Sequence, residues 1–146
     1  MQLNTSASVI SFAKQLEADS AALYEKMAER YSKGADLFLA FAKENNKYAT
    51  MIERAYYGVI SDAIEGCFAF SVETDKYKFE KEPAKGSGYA DALKRAIDME
   101  QKLVSFYTDA AEQSKAFMAD VPRTFLIVAR KRKDREDKLS ALLKEI

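Results

Sequence analysis

Two stretches of this chain match each other at the positions where an amphipathic helix hides its side chains. The first reads LEADSAALYEKMAER from Leu16, and the second reads MEQKLVSFYTDAAEQ from Met99. Each carries a glutamate on its apolar stripe, Glu17 and Glu100. Each has a tyrosine two helical turns further on, Tyr24 and Tyr107, so Glu and Tyr share a face. Each then closes on an Ala-Glu pair, Ala28-Glu29 and Ala111-Glu112. A carboxylate among apolar side chains is strongly disfavoured unless it has a partner. The repeat therefore constrains the chain to similar helical units whose stripes face one another. It marks the two glutamates as a metal site, or as a polar cluster standing where one would be.

Apolar spacing of three and four residues extends the helices in both directions. A first helix is predicted over about 6–32, with Thr5 or Ser6 as N-cap and Gly34 placed to close it. Its stripe is Val9, Ala13, Leu16, Ser20, Leu23/Tyr24, Met27 and Tyr31. A second is predicted over about 36–65, with stripe Phe38, Phe41, Asn45, Tyr48, Ile52, Ala55 and Val59, ended by Gly66. A third starts near Gly88, with Ser87 as candidate cap, and runs to about residue 116. It carries Leu93, Ala96/Ile97, Glu100, Leu103/Val104, Tyr107 and Ala110/Ala111. A fourth covers about 121–145, with Asp120 as N-cap and Pro122 in the first turn. Its stripe is Phe125, Val128, Arg132, Arg135, Leu139 and Leu142.

Residues 67–88 change character, collecting Lys, Glu, Pro and Gly. They read as a crossover with little regular structure, long enough to return past the roughly 40 Å of a full helix. Short loops join the first two helices and the last two, so each pair is an antiparallel hairpin. The expected fold is all-α, a four-helix bundle of two hairpins joined by a long crossover, in one domain. FLAFAKENNKYATMI (38–52) also aligns with FLIVARKRKDREDKL (125–139) at Phe, Leu and Ala, which relates the hairpins by a pseudo-twofold axis.

Composition narrows the chemistry. There is no histidine, which removes Ser-His and Cys-His catalysis and every imidazole metal ligand. Twenty-three basic and 23 acidic side chains give a formal net charge of zero, which favours neither nucleic acid nor an anionic membrane as partner. The run Arg130-Lys131-Arg132-Lys133 reads as a solvated helix face paired to Asp134, Glu136 and Asp137. The lone Cys67 rules out an internal disulfide and reads as a small buried or half-buried residue in a reducing, cytoplasmic setting. No signal-peptide pattern and no membrane-spanning apolar run are present.

Counting helical rise from the two short loops places six stripe residues within one or two turns of one level. They are Glu17, Asn45, Tyr48, Glu100, Arg132 and Arg135. Here the chain resembles the ferritin-like superfamily, closest to its rubrerythrin-type branch. The resemblance spans the four helices, about 110 residues, and leaves out the crossover. In that family helices 1 and 3 each give a Glu, and helices 2 and 4 each give Glu-x-x-His, to bind two irons. The resemblance carries the first kind of ligand onto Glu17 and Glu100. FAKENNKY puts Asn45 and Tyr48 where the family's Glu and His stand, and helix 4 puts Arg132 and Arg135 there. Both Glu-x-x-His motifs are gone, so the family's ferroxidase or peroxidase chemistry does not carry over.

Two glutamates and two arginines sum to zero charge, which points to a closed salt-bridge cluster without metal or other cofactor. Asn45 and Tyr48 are expected to fill the remaining carboxylate acceptors. Tyr24 and Tyr107 read as core rings with hydroxyls bonded into the cluster, and Glu44 and Asp134 as solvated neighbours. Tyr56, Tyr57, Phe68 and Phe70 read as packing under the crossover, with a dimer contact as the other reading. The leading functional reading is a non-catalytic binding or assembly module that self-associates as a homodimer. The alternatives are a metal-binding or oxidoreductase protein with a reduced site at Glu17 and Glu100, and a small-anion pocket at Arg132/Arg135.

Overall fold

Thr5 begins the first helix by accepting a hydrogen bond from the Ser8 amide through its hydroxyl, at 3.2 Å. The computed structural model describes residues 1–58, 70–116 and 120–146. Helix α1 spans Ser6–Arg30, α2 Ala35–Tyr57, α3 Tyr89–Ser114 and α4 Asp120–Lys144. The arrangement is all-α with four helices among the described residues. No described helix is long and apolar enough to cross a membrane.

The expected stripes form the core, because residues three and four apart fall on one face. Val9, Ala13, Leu23 and Met27 of α1 are buried, as are Phe38, Phe41 and Ile52 of α2. So are Leu93, Ala96 and Leu103 of α3, and Phe125, Val128 and Leu139 of α4. Tyr31, Ala55, Ile97, Val104 and Leu142, also assigned to stripes, are only half-buried, at the margin of that core. Met99 and Phe106 are buried on a second flank of α3, widening its apolar face beyond the single stripe read from the sequence.

Side-chain contacts set the helix directions. Residue 17 of α1 meets residue 107 of α3, and residue 24 meets residue 100. Moving forward along α1 is moving backward along α3, so the two are antiparallel neighbours. Arg135 of α4 meets both Phe41 and Asn45 of α2, while Arg132 meets Tyr48. The same rule makes α2 and α4 antiparallel. Residues 70–88 follow the α1/α3 side of the bundle. They touch Asn4 and Gln113 at one end, and Arg30 and Tyr31 at the other.

Four local expectations change. Gly34 does not close α1, which ends when Tyr31 turns extended; Gly34 opens α2 instead, with φ +81°. Ser87 does not cap α3; Gly88 stands there, and the Ser87 hydroxyl donates to the Ala84 carbonyl at 2.7 Å. The returning segment has regular structure: a strand β2, Val72–Glu73, and a 3₁₀ turn, Thr74–Tyr77. Strand β1, Gln2–Leu3, pairs with β2 antiparallel, Leu3 opposite Val72. The ladder satisfies backbone groups while Leu3 and Val72 bury their side chains. Finally, Tyr56 and Phe70 are buried, whereas Tyr57 stands exposed. The expected continuation of α2 to residue 65, with Val59, Gly66, Cys67 and Phe68, lies outside the described residues.

Candidate functional site

Three helices aim one charged side chain each at a single point in the bundle interior. Glu17 comes from α1, Glu100 from α3 and Arg132 from α4, and none is more than 1% exposed. The Arg132 guanidinium lies between the two carboxylates. Toward Glu17 it uses the fork of Nε, 3.2 Å from Oε2, and Nη2, 2.8 Å from Oε1. Toward Glu100 it turns Nη1, at 2.7 and 2.9 Å from the two carboxylate oxygens. Nη1 also lies 3.4 Å from the Ser20 hydroxyl, one turn along α1 from Glu17. A planar fork with five N–H groups suits this bridging, which a lysine could not reproduce.

The tyrosines complete the carboxylates in a crossed pattern. Tyr107 of α3 donates to Glu17 Oε2 of α1 at 2.5 Å. Tyr24 of α1 donates to Glu100 Oε1 of α3 at 2.8 Å. Asn45 of α2 adds its amide, donating to Glu17 Oε1 at 3.0 Å and to the Glu17 carbonyl at 3.2 Å. Each oxygen of Glu17 thus accepts two hydrogen bonds, and Glu100 accepts three in all. A buried ion is tolerated only when its remaining lone pairs and protons are satisfied in this way.

Arg135 plays a different part. Its Nη1 donates to Asn45 Oδ1 at 3.0 Å and its Nη2 to the Phe41 carbonyl at 2.7 Å. Glu100 Oε1 lies 3.7 Å away, within ion-pair range but without a hydrogen bond. The guanidinium is boxed by rings, 4.6 Å from the Phe41 centroid, 4.9 Å from Tyr48 and 5.5 Å from Tyr24. Such faces carry negative potential and stabilise a desolvated cation. Its Nε has no hydrogen-bond partner among the described residues.

Tyr48 departs from its expected role. Its hydroxyl fills no acceptor of Glu17 or Glu100. It points to Glu44 of its own helix, with Oε2 at 3.4 Å, and the ring faces Arg135 and Arg132. Glu44 is accordingly half-buried rather than fully solvated, while Asp134 is exposed. In the basic run, Arg130 and Lys131 are exposed and Lys133 lies 3.3 Å from Glu136. Arg132 alone turns into the core. Phe41, whose carbonyl and ring both hold Arg135, belongs to the site, whereas the sequence marks it only as an apolar stripe residue. The available signal was its place one turn before Asn45.

Burial, and then the charge of Glu100, pushes the Tyr24 phenol well above its usual pKa. Burial, and then Glu17, does the same for Tyr107. Burial opposes the charge on Arg132, but Glu100 and Glu17 outweigh it and hold the guanidinium charged. The two phenols stay protonated and Arg132 stays cationic at ordinary pH.

A di-iron pair does not fit these residues. The oxygens that would face the metals already bind Arg132, whose guanidinium occupies the space between them. Among the described residues no three of His, Cys, Asp and Glu gather as a cation site. A small-anion pocket at the arginines fares no better, because their terminal nitrogens already donate to Glu17, Glu100, Asn45 and Phe41. Comparison with protein-family models, with curated proteins and with solved structures found no match.

Proposed function

We propose that this chain is a divergent, metal-free ferritin-like bundle, related to the rubrerythrin branch, that works as a binding or assembly module rather than as a metal enzyme. The observation that carries the reading is the Arg132 guanidinium between Glu17 and Glu100. It pairs with both glutamates, and with Arg135 nearby the buried charges sum to zero, at the level where that family holds its irons. Elemental analysis after expression with excess iron and manganese tests it. Less than about a tenth of an equivalent is expected; about two equivalents, lost on Glu17→Ala, would overturn it.

The module is proposed to self-associate as a homodimer through outer faces of the bundle, in the cytoplasm, with neither nucleic acid nor membrane as partner. Tyr57, 63% exposed beside the buried Tyr56, supports an outer contact near the end of α2. Light scattering is expected to show a dimer at high micromolar concentration, weakened by Tyr57→Ser. A monomer under those conditions would count against self-association.

A further inference from the structure

An open groove of about 960 Å³ lies between α1, α3 and the returning segment, away from the buried cluster. Its floor is apolar, made by Phe12, Leu16, Tyr77 and Phe79. The rings of Phe12 and Tyr77 both rest on Phe106, with centroids 5.4 Å away in each case, so the floor is continuous with the core. The polar end of Tyr77 is already engaged, donating to Asp109 Oδ2 at 2.9 Å. The floor therefore offers a ligand apolar contact and no hydrogen bond of its own.

The rim carries charges of both signs, and many are matched. Lys81 lies 3.6 Å from Asp19, Lys102 3.1 Å from Asp98, and Lys78 2.7 Å from Asp75. Arg95 is different. It is half-buried in the groove wall, four residues after Asp91 and three before Asp98, at spacings where helical ion pairs form. Its side chain makes neither pair, and no hydrogen bond, among the described residues. Lys94 beside it is exposed and equally unmatched, as are the exposed rim acids Glu80 and Asp91. A guanidinium that has lost part of its hydration without gaining an acceptor is the strongest anion-binding group in the groove.

We propose that this groove binds an amphipathic carboxylate, with its apolar body on Phe12, Leu16 and Phe79 and its carboxylate on Arg95. The forked guanidinium accepts a carboxylate bidentately, and Lys94 adds charge at the rim. The site shares no residue with the Glu17–Arg132–Glu100 cluster, so it stands or falls independently of the metal-free reading.

Calorimetry on the full chain tests it with octanoate, 4-phenylbutyrate and octan-1-ol. At least one carboxylate is expected to bind one-to-one, about tenfold or more tighter than the alcohol, a difference of about 1.4 kcal/mol. Arg95→Gln, which removes no ion pair or side-chain hydrogen bond among the described residues, is expected to lose that tenfold for the carboxylate and nothing for the alcohol. Preference for octanoate identifies an acyl chain as the body, and preference for phenylbutyrate an aryl group. No saturation by either acid up to about 10 mM, equal binding of acid and alcohol, or unchanged binding by Arg95→Gln would overturn the proposal. So would a dimer in light scattering that octanoate dissociates, since the groove would then be occupied by a second copy.

Discussion

Tyr107 donates its phenol to Glu17, ninety positions away in the chain, and not to Glu100, the glutamate two turns before it on its own helix. The antiparallel course of α1 and α3 produces this exchange, because position 107 stands opposite position 17 just as 24 stands opposite 100. Each repeat therefore completes the carboxylate of the other. Tyr107→Phe and Tyr24→Phe are each expected to cost about 1.5–3 kcal/mol, the range for a hydrogen bond to a charged group. Because Arg132 touches both carboxylates, the double variant should depart from additivity. Urea denaturation of the two single variants and the double variant measures both effects.

Removing the bridging cation should do more damage. Arg132→Leu leaves two carboxylates in the core without their shared partner, and a loss of about 3–5 kcal/mol is expected. Arg135→Leu removes bonds to the neutral Asn45 and Phe41 groups and only a longer approach to Glu100. Its loss should be smaller, about 1–3 kcal/mol. A triple variant, Glu17→Gln, Glu100→Gln and Arg132→Met, should recover much of what Arg132→Leu alone loses. Denaturation midpoints at one pH rank the three; equal effects of the two arginine changes would contradict the assignment of Arg132 as the bridge.

Stability should fall in alkali. The folded state holds the Tyr24 and Tyr107 phenols protonated well above their usual range, chiefly by burial. Below the unfolded pKa of about 10 both states keep these protons, so the contribution is complete. Above it the unfolded chain releases them and the folded chain does not, so stability declines with rising pH. The expected slope is about 1.4 kcal/mol per pH unit for each phenol. Denaturation series from pH 8 to 11 measure it, and the Tyr24→Phe, Tyr107→Phe double variant should make the decline shallower, with burial of Tyr48, Tyr77 and Tyr89 supplying the remainder.

The turn between α1 and α2 makes a steric prediction. Gly34 sits at φ +81°, and a Cβ there would stand 2.8 Å from the Tyr89 hydroxyl. Gly34→Ala is expected to cost about 1–2 kcal/mol from backbone strain, with the contact to Tyr89 adding to it. The Tyr89 hydroxyl is buried without a hydrogen-bond partner among the described residues. Tyr89→Phe should therefore be close to neutral, and in the Gly34→Ala background it should remove the Tyr89 share of the steric cost, leaving the Phe38 ring carbons at 3.1 and 3.3 Å. Thermal denaturation of the four combinations separates the two contributions.

Periodicity and loop length made the level and face of Arg132, Glu17 and Glu100 readable, because a helix advances by a constant rise and turn. The same arithmetic says nothing about where a long side chain ends. Tyr48 lies on the expected face, but its hydroxyl reaches Glu44 and only its ring serves the arginines. Arg132 and Arg135 share a stripe, yet one bridges two carboxylates while the other is held by Asn45, Phe41 and rings. That division depends on side-chain reach across the bundle, which spacing does not encode. The β1–β2 ladder was illegible for another reason. Two residues per strand are too few to establish a period, and the pairing joins positions about seventy residues apart. Gly34 was ambiguous in principle, since a left-handed residue in a short link can terminate one helix or introduce the next.

The placement of both buried cations on α4 decides which halves can mate. Among the described residues Glu17 is the buried ion of the first hairpin, and the second buries Glu100, Arg132 and Arg135. One hairpin thus brings a core charge of minus one and the other plus one, and only the unlike combination cancels. Two copies of the first would confront two carboxylates with no counterion, and two copies of the second would trap an excess of two positive charges. Pairing of a hairpin with its own double from a neighbouring molecule is in this way disfavoured, although the halves are similar. The electrostatics of the bundle interior select the heterotypic pairing of first hairpin with second.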